Sequence, residues 1–124
     1  MKLEDQICSF ELAKSLKELG VKQESHFYWI PVGNGYIADC FMYSEQYEEI
    51  DKEISAFTVA ELGEILPPFV TTEKYFCKEK PRFNTHEEKT IEQHSFHDDK
   101  EADARAKMLI YLIEKGLLKS ATKD

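Results

Sequence analysis

His26-Phe27-Tyr28-Trp29-Ile30-Pro31-Val32-Gly33-Asn34-Gly35-Tyr36-Ile37-Ala38-Asp39-Cys40-Phe41-Met42-Tyr43 is the stretch that decides how this chain folds. Its flanks are aromatic and β-branched strand formers, and Asn34-Gly35 is the dipeptide that favours a two-residue type I′ turn. The stretch therefore predicts a β-hairpin of residues 26–32 and 36–43. With Asn34 and Gly35 as the loop, Trp29 pairs with Cys40 and Phe27 with Met42. These residues share an apolar face with Pro31 and Ala38, which is the expected core side. The opposite face holds Tyr28, Ile30, Val32, Ile37 and Phe41 among His26, Asp39 and Tyr43. It is more aromatic than a solvent face needs to be, and aromatic surface of this kind marks contact sites.

Helices are expected on either side of the hairpin. Ser9 offers a cap, Glu11 suits the first turn, and Leu12, Leu16 and Leu19 repeat at helical spacing before Gly20, giving a helix over residues 9–19. Thr58-Val59-Ala60-Glu61 is a capping box, with Phe57 placed to staple onto Leu62, and Pro67-Pro68 stops that helix. Further on, residues 72–78 and 90–96 look like strands, residues 82–85 pair with the latter, and His86 to Lys89 suits a turn between them. A last helix opens at a cap from Asp98 or Asp99. It runs down Ala102, Ala106, Leu109, Leu112 and Ile113, apolar nearly all round, and closes at Gly116 with Leu117 and Leu118 folding back.

The order is α-β-β-α-β-β(-β)-α. It predicts an α+β fold, an antiparallel sheet built from hairpins with about three helices packed on it. Residues 1–119 are expected to form one domain and 120–124 a disordered tail.

The 124 residues carry 16 basic and 24 acidic side chains, a net charge of −8. The acid is concentrated. Glu45, Glu48, Glu49, Asp51, Glu53, Glu61 and Glu64 face only Lys52 between residues 44 and 64, and the flanking stretches nearly balance. An acidic chain of this kind is not expected to bind nucleic acid or an anionic membrane surface. No apolar run approaches a membrane span. Three scattered cysteines, Cys8, Cys40 and Cys77, suit a reducing compartment, and a bacterial cytoplasm is expected.

The catalytic and cofactor chemistries find no footing. There is no Gly-rich phosphate loop, no spaced nucleophile–base set, and no carboxylate pair set apart from the rest. No catalytic, cofactor-binding or metal residue is assigned, and no cofactor is expected. His94 and His97 are three apart. On a helix they would converge on one ion, whereas a strand sends them to opposite faces.

A helix-turn-helix over residues 9–30 is the competing motif. The spacing from Ala13 to Gly20 is too long for it, and its second helix would be made of strand formers running into Pro31. A DNA-binding regulator through this degenerate motif is the alternative function, and an acidic DNA mimic is a weaker one.

Three blocks carry a family resemblance. Ala56-Phe57-Thr58-Val59-Ala60-Glu61-Leu62-Gly63-Glu64-Ile65-Leu66-Pro67 and Glu101-Ala102-Asp103-Ala104-Arg105-Ala106-Lys107-Met108-Leu109-Ile110-Tyr111-Leu112-Ile113-Glu114 resemble the signature blocks of a small protein family. Residues 9–29 fit it too. That family is encoded by bacteriophages, prophages and mobile elements and has no assigned activity. The resemblance implies a setting, a phage-derived accessory protein in a bacterial host, and gives no residue a role.

The expected function is non-enzymatic, through contact with an unidentified protein partner or with itself. The expected interaction surface is Tyr28, Ile30, Phe41 and Tyr43 with Glu45, Glu48, Glu49, Asp51 and Glu53.

Overall fold

The hairpin forms, but its turn sits one residue earlier than Asn34-Gly35 predicts. In the computed structural model, which describes residues 3–40 and 54–118, β1 (Phe27–Val32) and β2 (Gly35–Cys40) pair with Val32 opposite Gly35 and Trp29 opposite Ala38. The loop is therefore Gly33-Asn34. Gly33 has φ +60° while Asn34 is not among the positive-φ residues. A glycine at the first of two loop positions is the type II′ pattern, which matches strand twist as well as type I′ does. The register moves by two residues, so the division of side chains between faces survives.

A third strand, β3 (Ile54–Ser55), pairs with the other edge of β1, placing Trp29 opposite Ile54 and Tyr28 opposite Ser55. The second sheet is β4 (Val70–Cys77), β5 (Lys80–Glu87) and β6 (Ser95–Asp98), antiparallel and in sequential order. The α+β class expected from the sequence is what the chain adopts, with two three-stranded sheets among the described residues in place of one.

Four helices lie among the described residues: α1 (Leu3–Gln6), α2 (Phe10–Glu18), α3 (Val59–Ile65) and α4 (Glu101–Glu114). α2 ends as its glycine predicts. Gly20 has φ +91°, its N–H donates to Lys17 O at 3.0 Å, and Val21 N–H reaches back to Leu16 O at 3.1 Å, the Schellman closure. The Ser9 hydroxyl makes no cap bond, contrary to expectation. The Ser9 N–H instead donates to Asp103 Oδ1 at 2.7 Å, which ties the start of α2 to α4.

The capping box on α3 is complete. Glu61 N–H donates to Thr58 Oγ1 at 3.1 Å and Thr58 N–H to Glu61 Oε1 at 2.9 Å. The same carboxylate accepts from Ser25 Oγ at 2.7 Å and His26 N–H at 3.1 Å, which ties the entry of β1 to the start of α3.

α4 is the central element. It packs on β5 and β6 of the second sheet and on α2 and α3 beside the first. Ala102, Ala104 and Ala106 are fully buried, and these small side chains let the neighbouring elements approach closely. Arg105 fastens the junction. Its Nη1 donates to Val59 O at 2.8 Å, its Nε to Thr72 Oγ1 at 3.2 Å, and its Nη2 sits 3.0 Å from Glu101 Oε2. Gly63 makes this possible, because a Cβ there would fall on Arg105 Nη1. The core runs from Cys8, Ala13, Leu16 and Val21 through Ile54, Phe57 and Leu62 to Ala102, Ala106 and Leu109, with Trp29 packed against it.

Neither Asp98 nor Asp99 is the N-cap of α4; that position is Lys100, which makes no side-chain cap bond. Asp98 Oδ1 accepts from Lys100 N–H at 3.0 Å, and its Oδ2 lies 2.7 Å from Lys107 Nζ. The strand expected over residues 90–96 is mostly loop. The true partner of β5 is β6, which begins five residues later at Ser95, with Thr85 opposite Phe96.

Candidate functional site: a loop closed on a buried carboxylate

β5 places Phe83, Thr85 and Glu87 on the face that α4 covers, because alternate residues of a strand share a side. Thr85 and Glu87 are 0% exposed. A buried carboxylate survives only when donors surround it, and Glu87 collects them from the loop that follows. Oε1 accepts from Thr90 Oγ1 at 2.6 Å and His94 N–H at 3.1 Å, and both carboxylate oxygens lie 3.3 Å from Thr90 N.

Backbone bonds complete the closure. Glu87 N–H donates to His94 O at 3.0 Å, Gln93 N–H to Thr90 O at 3.2 Å, and Glu88 N–H to Phe69 O at 2.9 Å. Gln93 is held at φ +47°, a left-handed conformation that a glutamine rarely takes. Residues 88–94 are thus a compact loop wrapped around an internal anion.

The tip of this loop is Ile91, a fully exposed residue. Beside it lies an open groove of about 390 Å³. Thr90, Ile91 and Glu92 form its loop wall, and Tyr111, Lys115 and Leu117 form its helix wall. Tyr111 is itself fixed by His94, whose ring stacks on it at 4.4 Å between centroids and 14° between planes. Leu117 is set by the end of α4, where Gly116 has φ +72° and Leu117 N–H donates to Leu112 O at 2.8 Å. A rigid loop thus presents an apolar knob next to a shallow apolar hollow.

The expected interaction surface fares differently. Tyr28 is 7% exposed and Ile30 0%, so neither is available surface: the face of β1 they share is buried at these positions. The reason is the strand's central place and the segment before it. The Tyr28 hydroxyl donates to Gln23 O and accepts from Ser25 N–H, each at 3.4 Å, and Gln23 Oε1 accepts from Ser55 N–H at 2.7 Å. Residues 22–26 and β3 together enclose the tyrosine. Phe41, Tyr43, Glu45, Glu48, Glu49, Asp51 and Glu53 lie outside the described residues. What the hairpin does expose is Tyr36 and Ile37, at 39% and 44%. Phe76 near the β4–β5 turn is a further exposed apolar side chain, with Lys74 Nζ 5.5 Å from its ring centroid.

The two histidines considered for a metal do not meet. His94 stacks on Tyr111, while His97 bonds Tyr75 Oη through Nδ1 at 2.9 Å. Among the described residues no three His, Cys, Asp or Glu side chains converge as ligands. Thr71, His86 and Glu88 come close to one another without forming a relay. Thr71 Oγ1 at 2.9 Å and Glu88 Oε1 at 3.6 Å both approach the same ring nitrogen, Nε2, so this carboxylate does not orient the imidazole from the far side.

The recognition helix of a helix-turn-helix would begin after Val21; the chain there runs into strand β1. Cys8 is buried and Cys77 exposed, both as free thiols. Burial pushes the Cys8 thiol up to about 12, which leaves it inert as a nucleophile. No helix among the described residues is long and apolar enough to cross a membrane.

Sequence reasoning missed the 88–94 loop because it took residues 90–96 for a strand. Its one visible signal is Thr90 placed three residues after Glu87, the reach of a side-chain-to-backbone closure. Compared with protein-family models, curated proteins and solved structures, the chain matches none.

Proposed function

We propose that this protein works by protein–protein contact and not by catalysis, and that the 88–94 loop is its contact surface. The observation that carries this is Ile91, fully exposed at the tip of a loop whose backbone is locked by the buried carboxylate of Glu87. Binding costs less when the contacting segment is already ordered, and interfaces centre on a few apolar anchors set in such segments. The setting we attach to this reading is an accessory protein of a phage or mobile element in a bacterial cytoplasm. It rests on the sequence blocks at residues 9–29, 56–67 and 101–114 alone.

The test is chemical cross-linking of the chain, pure and in bacterial lysate, for the wild type and for Ile91→Asp. Ile91 is exposed, so the variant should keep the wild-type circular dichroism and melting temperature. Loss of cross-linked species in the variant supports the reading. An identical cross-linking pattern, with the fold intact, overturns it.

A further inference from the structure

We propose that the 88–94 loop docks a second copy of this chain in a two-fold dimer, each Ile91 entering the groove beside the other. This rests on the reading of that loop as a contact surface and names its partner. A two-fold interface must be self-complementary, since the same patch serves both subunits. Most exposed apolar side chains fail this requirement because no matching hollow lies next to them. Here the knob and the hollow adjoin: Ile91 borders the groove whose far wall is Tyr111 and Leu117.

The charges obey the same symmetry. Glu92 stands on the loop wall and Lys115 on the helix wall. A two-fold axis that lays one subunit's loop wall on the other's helix wall brings Ile91 against Tyr111 and Leu117. It also brings Glu92 to the Lys115 of the other copy, twice. A rim of one sign would have opposed self-association; this rim carries both signs, on the walls that the axis superposes.

In the single chain Glu92 lies 3.8 Å from His94 Nδ1 and is 79% exposed, so it can turn to a new partner at little cost. The hollow is also preformed. Tyr111 is clamped by the His94 stack and Leu117 by the helix closure, so docking orders little that is not ordered already. The patch is small, which places the dimer in the weak, reversible class.

The experiment is sedimentation equilibrium of the purified full chain from micromolar concentrations to about 1 mM, a range that brackets weak association. The wild type should show a reversible monomer–dimer equilibrium. Ile91→Asp should weaken it at least about thirtyfold, as loss of a central anchor does. Glu92→Lys and Lys115→Glu should each weaken it by roughly tenfold, and the double variant should recover to within about threefold of wild type. A monomer throughout, or a dimer indifferent to Ile91, overturns the proposal. So does failure of the double charge exchange to recover binding.

The two readings part cleanly. If the wild type stays monomeric while cross-linking in lysate still needs Ile91, the dimer falls and the contact surface stands. If neither depends on Ile91, both fall.

Discussion

Glu87→Ala isolates the role of the buried anion. The side chain touches no solvent, yet it terminates donors from Thr90 Oγ1, Thr90 N and His94 N. Hydrogen bonds to a charged acceptor contribute about 1.5–3 kcal/mol each, and an orphaned buried donor costs about 1–3 kcal/mol. The full sum is not expected. Residues 88, 89 and 91–94 are exposed and Thr90 half-buried, so water reaches the freed donors once the loop opens. We expect a loss of about 2–4 kcal/mol, equivalent to roughly 10 °C in melting temperature for a chain of this size. Glu87→Gln keeps the shape and one acceptor oxygen but turns an amide toward the donors. It should lose about half as much.

The decisive assay is amide hydrogen exchange. In Glu87→Ala the His94 and Thr90 amides should lose protection at a denaturant concentration where α4 keeps it, because the opening is local. The dimer should weaken as well, although the interface loses no atom, since the loop must then be ordered on docking. If His94 exchange and the melting temperature are both unchanged, the carboxylate does not hold the loop and the argument for a preorganised contact surface fails.

Two further predictions concern the second sheet. The β4–β5 turn uses Lys78 at φ +52° and Glu79 at φ +66°, both left-handed and neither a glycine or asparagine. Lys78→Asn with Glu79→Gly should therefore stabilise the protein by about 1–2 kcal/mol. It would be read as a higher urea midpoint at unchanged m-value, and no gain would refute the turn assignment. For Asp98, burial alone would raise the carboxyl, but Lys107 and the Lys100 N–H together hold it below its ordinary 3.8. A carboxyl depressed in the folded state stabilises above its unfolded pKa and loses that contribution as pH falls through its folded one. Asp98→Asn should cost about 1 kcal/mol at neutral pH, with the gap to wild type closing below 3.8. A gap that stays constant into the acid range would refute it.

Local chemistry was legible in the sequence wherever a few adjacent residues settle a conformation. The capping box at Thr58 and Glu61, the glycine closures at Gly20 and Gly116, and the burial of α4 all follow from spacing within one helix. The hairpin at β1 and β2 was legible too, because a glycine-bearing turn between strand formers needs no outside help. The β4–β5 hairpin was not, since its turn residues, Lys78 and Glu79, are held in place by the strand pairing on either side and carry no turn signal of their own.

The site divides along the same line. The sequence showed that Tyr28 and Ile30 form an apolar face; only the tertiary packing decided that this face is interior. It showed an acid at position 87 and an isolated isoleucine at 91, both unremarkable in a polar stretch. Burial of Glu87 depends on α4 crossing β5 from 14 residues further along the chain, and that crossing is what turns an ordinary carboxylate into the anchor of a loop. Conformations set by neighbours in sequence can be read from sequence, while the environment of a charge is set by whatever the fold brings to it.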